Sequence, residues 1–126
     1  MTSKRDEVCM PIARIDCRPY PADIWFTDDV DSFHRKRRQI NGMTDRMDSM
    51  QGCVSSSDNR GSMVIGLFVM DGSVLVHEIA HAVINIFHFT GTPINLDTTE
   101  PFAYMTESIH EQCNALLNKW SLKAES

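Results

Sequence analysis

The chain has 126 residues, a formal net charge of −5 and 42% apolar side chains. That size and composition suit one domain with one modest core, and the acidic balance argues against a nucleic-acid partner, whose electrostatic footprint is basic. No apolar run nears the roughly 18 residues that a membrane span needs; the longest, residues 63–70, is broken by Gly66, so no membrane partner is expected.

Residues 1–20 read as a polar lead-in that passes into a short strand or loop at residues 10–15. The first seven residues lack the apolar stretch of a secretory signal. Cys9, Cys17, Cys53 and Cys113 are scattered, with no Cys-x-x-Cys pair. That pattern fits reduced thiols in a cytoplasm better than a zinc ribbon or a disulfide framework. Pro19 and Pro21 punctuate the chain before a strand over residues 23–27.

Acidic residues 28–31 then cap a helix over residues 32–40, whose basic middle, Arg35 to Arg38, is expected as a solvated face. Residues 41–61 are rich in Gly, Ser, Asp and Met. A short strand is expected at residues 53–57, and Met43, Met47 and Met50, at helical spacing, read as packing for a short helix. Residues 62–70 form the best strand candidate, apolar, β-branched and aromatic. A turn at Asp71-Gly72 follows, with Ser73 as N-cap of a helix over residues 74–89 that stops at Gly91. After a loop over residues 92–99, a last helix runs to about Trp120. Its buried stripe is Phe102, Met105, Ile109, Cys113, Leu116, Leu117 and Trp120.

The chemistry lies in Val76-His77-Glu78-Ile79-Ala80-His81, a His-Glu-x-x-His motif inside an amphipathic helix. Two imidazoles four residues apart project from one helix face, about 6 Å apart along the axis. Both nitrogens can reach one Zn2+ ion at about 2.1 Å. Glu78, beside the metal but not on it, can take a proton from zinc-bound water.

A catalytic zinc takes a third protein ligand. His88 lies roughly 10 Å beyond His81 on a straight helix and cannot reach the same ion. Ile84 and Phe87 stand where the metzincin pattern needs Gly and His. Glu100, 19 residues after His81 and opening the last helix, remains, with Glu107 and His110 less well placed further along.

His77-Glu78-x-x-His81 followed by Glu100-Pro101-Phe102-Ala103-Tyr104 resembles the gluzincins, and the plan is similar to small phage-encoded metallopeptidase-like proteins and ImmA/IrrE-type peptidases. The resemblance covers residues 62 to about 110 well and the N-terminal half by element order alone. It implies a single α+β domain over residues 1–126 with a minimal zincin-like fold. In that fold a small, mainly antiparallel sheet packs on an active-site helix and a glutamate helix, with a metal-binding core over residues 62–120. It makes Glu100 the third zinc ligand and implies a zinc metallopeptidase acting on a peptide or protein, with Glu78 as base and then acid. Pro101 biases Glu100 towards the helix cap.

Tyr104 stands where some gluzincins carry an acidic partner for a histidine, and is expected to hydrogen-bond a ligand or stabilise an oxyanion. Asp97 and Glu107 are alternative partners for the imidazole N–H groups. The strand over residues 62–70 reads either as the sheet edge where a peptide pairs by strand addition or as an internal core strand. A chain this short has little material for a deep cleft, so a partner protein or homo-oligomer is expected to complete the site. The location implied is the cytoplasm, that of a host cell for a phage-encoded chain. The rival reading is a non-catalytic, zinc-stabilised binding or assembly protein, phage-associated on the same resemblance.

Overall fold

The computed structural model describes the backbone of residues 10–125 and the side chains through residue 121. Most of the polar lead-in, with Cys9, lies outside the described residues. The chain is an α+β domain built from β1 (Ile12–Ile15), β2 (Asp23–Thr27), α1 (Val30–Asn41), β3 (Gly52–Ser56), β4 (Ser62–Leu67), α2 (Gly72–Thr90), a 3-10 turn (Leu96–Thr98) and α3 (Thr99–Glu125).

The strands form one mixed sheet in the order β1-β2-β4-β3. β1 and β3 each pair antiparallel with their neighbours, while β2 and β4 run parallel, Trp25 opposite Val64. Alternation along the strands divides the side chains between two faces. On one face Ile24, Phe26, Met63, Ile65 and Leu67 meet Leu75, Ile79, Ala82, Val83, Ile86 and Phe87 of α2 and Met105, Ile109, Cys113 and Leu117 of α3. On the other, Phe33 of α1 is fully buried and packs edge-on against Phe68 at 5.4 Å. Lys36 covers the Trp25 ring at 3.9 Å.

The helix ends follow from local chemistry. Asp29 caps α1 by accepting from the Ser32 amide at 2.8 Å, and Gly42, at φ 75°, closes it in the left-handed region. Asp71, not Ser73, caps α2: its extended backbone aims the carboxylate at the Ser73 amide, 2.9 Å away. A charged acceptor at that position outcompetes the serine hydroxyl, which itself donates to Asp71. Gly91, at φ 70°, ends α2. Pro101 sits in the first turn of α3, where a missing amide hydrogen leaves no bond unmade. Glu100 is therefore inside that turn rather than at a cap.

Of the two readings of residues 62–70, the internal core strand holds: β4 lies between β2 and β3, although it ends at Leu67, and the free edge beside α2 belongs to β3. Two further expectations are corrected. Residues 43–50 form no helix, because Gly42 turns the chain out of α1 and side chains from α1 then hold the segment instead. Arg37 is not on a solvated face: at 3% exposure it donates to the Asp45 carbonyl at 2.7 Å and to its carboxylate at 3.0 Å. Arg35 and Arg38 are exposed as expected. The stripe on the last helix is as expected, although α3 runs on past Trp120 to Glu125.

Among the described residues Cys17, Cys53 and Cys113 form no disulfide, and no helix is long and apolar enough to cross a membrane.

Arg37→Ala strands the Asp45 carbonyl and opens a cavity beside α1. It is expected to lower unfolding free energy in urea by about 2 kcal/mol and to speed amide exchange across residues 43–50.

Candidate metal centre

α2 serves two environments at once. Its apolar positions recur every three or four residues and bury against the sheet and α3, which turns His77 and His81 outward together. Both are exposed, their rings are 77° apart, and the two Nε2 atoms converge to 3.2 Å. Two nitrogens bound at about 2.1 Å to one tetrahedral ion stand about 3.4 Å apart. The donors present thus fit a zinc ion with little rearrangement.

Glu78 is rotated about 100° around the helix from His77 and turns under the sheet edge, where it is only 8% exposed. Its carboxyl group opens into a cleft of about 430 Å³ lined by Gln51, Gly52, Ser73, Val74, His77 and Glu78. Burial raises its pKa, and the charges of His77 and His81 partly oppose that shift. The glutamate sits beside the histidine pair with its stem buried and its carboxyl group at a polar cleft, an arrangement that favours taking up a proton.

On its other flank α2 meets α3. Phe87 and Phe102 pack edge-on at 5.4 Å. Val76 and Ile79 share an apolar groove of about 420 Å³ with Phe102, Ala103, Thr106, Glu107 and His110. The helices are therefore antiparallel, and residues 108–112 of α3 lie level with the histidine pair, with Glu107 one residue beyond the level of His81. On that register Glu100 is level with Phe89, eight residues or about 12 Å along the axis from His81. Glu100 is exposed on the first turn of α3, and Tyr104 is 65% exposed. Among the described residues no three His, Cys, Asp or Glu side chains converge as a metal-holding group. The structure brings together His77, His81 and Glu78, sets Glu107 and His110 in the adjacent groove, and leaves Glu100 and Tyr104 towards the far end of α2.

Gln51 and Gly52 line the cleft without having been singled out from the sequence, and Ser73, expected there only as an N-cap, lines it too. Only their place at the end of an edge strand and at the start of α2 marks them, and both depend on tertiary pairing.

A carboxyl group whose pKa is raised on folding binds more protons folded than unfolded, so its contribution falls as pH rises. In metal-free protein, Glu78→Gln is therefore expected to raise Tm at pH 8 relative to wild type. The advantage should vanish as pH falls below the ordinary carboxylate range, with paired thermal melts as the measurement.

Compared with known protein families, curated proteins and solved structures, the chain matches none.

Proposed function

We propose that the chain is a zinc-dependent metallopeptidase of gluzincin type. The observation that carries this reading is the convergence of the two histidine Nε2 atoms to 3.2 Å beside a buried glutamate. His77 and His81 would hold the metal. The third donor best supported by the register of α2 and α3 is Glu107, an exposed residue one position beyond the level of His81, in place of Glu100. Zinc there supplies Lewis acidity towards a peptide carbonyl.

The remaining work belongs to the protein. Glu78, poised in the cleft, takes a proton from the attacking water and returns it to the leaving amine. Partial burial in the wall that Glu78 shares with Gln51 and Gly52 raises the pKa of that carboxyl group, which strengthens its pull on the proton. The substrate class is peptide or protein. The setting proposed is a reducing cytoplasm, which suits a chain whose Cys113 thiol is held inert by burial, its pKa pushed up to about 12.

The rival reading, a zinc-stabilised binding or assembly protein, draws on the exposed apolar side chains of α2, Val76 and Ile84, and of the segment that follows it, Ile94 and Leu96. Glu78 separates the two, because a structural site has no use for a buried base.

Glu78→Gln is expected to keep full zinc content and to lose at least about 100-fold in kcat against a peptide library. A wild type that binds zinc yet cleaves nothing would favour the rival. For the donor set, Glu107→Ala should weaken zinc binding by on the order of 10- to 100-fold while Glu100→Ala leaves it unchanged. The reverse pattern in a zinc titration would restore Glu100.

A further inference from the structure

The position of Glu78 is itself a result of something opposite it. Among the described residues no hydrogen bond contributes to the state of its carboxyl group; burial and the two histidine charges account for the shift. What locates the side chain is packing of its stem under the end of β3. A Cβ added at Gly52 would stand 3.0 Å from Glu78 Cγ, 3.0 Å from Val74 Cγ1 and 3.1 Å from the Gly66 carbonyl oxygen. Each distance is well short of ordinary van der Waals contact.

Gly66 O cannot yield, since Gly66 pairs with Cys53 in the ladder between β3 and β4. Any side chain at residue 52 must therefore displace Glu78 or Val74. Gly42 and Gly91 answer to positive φ angles. Gly52 has no such conformation, and its missing side chain serves space.

We propose that Gly52 is a positioning residue for Glu78: the bare backbone at the end of β3 forms the seat that holds the glutamate stem, so that its carboxyl group enters the cleft beside His77. The inference rests on the hydrolytic reading of the site, but the seat itself is a geometric claim that can be tested apart from it. The histidine side chains lie on the exposed side of α2, and the atoms nearest a side chain at residue 52 belong to Glu78, Val74 and Gly66, so metal binding and base placement are separable.

The test compares wild type, Gly52→Ala and the double variant Gly52→Ala/Val74→Ala in the full chain. Gly52→Ala is expected to bind zinc as wild type does in calorimetry. Its kcat should fall roughly 10-fold at unchanged KM, because the added methyl shifts the stem by a few tenths of an ångström and a full 1 Å misplacement of a reacting group costs on the order of 100-fold. Trimming Val74 gives the added methyl somewhere to go, so the double variant should recover much of the lost kcat. A merely structural role predicts the opposite, with the second truncation lowering stability and activity further.

Full kcat in Gly52→Ala, or no recovery in the double variant, overturns the proposal. If Gly52→Ala does not fold, the double variant is compared with Val74→Ala alone, and equal kcat supports the seat while a large deficit overturns it. If wild type cleaves nothing, the hydrolytic reading fails by itself. The crystal structure of zinc-free Gly52→Ala then decides: a Glu78 side chain shifted by a few tenths of an ångström or more supports the seat, and an unmoved one overturns it.

Discussion

Everything in this molecule turns on the packing of α2. Three surfaces claim this one helix: the sheet, α3 and the solvent face that carries His77 and His81. Because 3.6 residues make a turn, a motif of His-Glu-x-x-His can give both imidazoles to solvent while the glutamate between them turns inward. The apolar residues on either side fix the rotation of the helix about its own axis. A rotation of the helix by even one residue would bury a histidine and expose the base. The metal donors and the base are thus set by the hydrophobic core as much as by their own chemistry.

The two flanks of α2 differ in kind. Towards β3 the wall is polar and close, with backbone at Gly52 against the Glu78 stem. Towards α3 it is apolar and open, with Glu107 and His110 at its margin. A peptide crossing the centre would meet a sheet edge on one side and a greasy helix pair on the other. That asymmetry gives the centre a direction, which a symmetric pair of donors lacks.

Much of this was legible in the sequence where the signal is local. The histidine pair, the β2 and β4 runs, the stop at Gly91 and the stripe from Phe102 to Trp120 all follow from periodicity and from the conformational freedom of glycine. The failures share a physical cause, which is that the deciding partner lies elsewhere in the chain. Arg37 reads as solvated on charge alone, yet Asp45 draws it inward. Met43, Met47 and Met50 have helical spacing, but spacing says nothing about the left-handed glycine that precedes them. The edge position of β3 depends on β2 pairing with β4 across the intervening α1 and β3, an order that no local pattern encodes.

Asp16 and Gln112 tie the start of the domain to its end. The Asp16 amide donates to the Gln112 side chain, and that side chain donates back to the Asp16 carbonyl, both at 2.8 Å. The histidine pair, by contrast, needs nothing beyond one turn of helix. During folding, therefore, the two imidazoles that the proposed reading makes metal donors are brought together as soon as α2 is helical, at negligible loop-closure entropy. The Glu78 seat waits for β3 to pair with β4, and α3 waits for β1. A chain assembled in that order would capture its ion before it has a base in place, so the centre could be charged early and become reactive only once the last long-range contacts close.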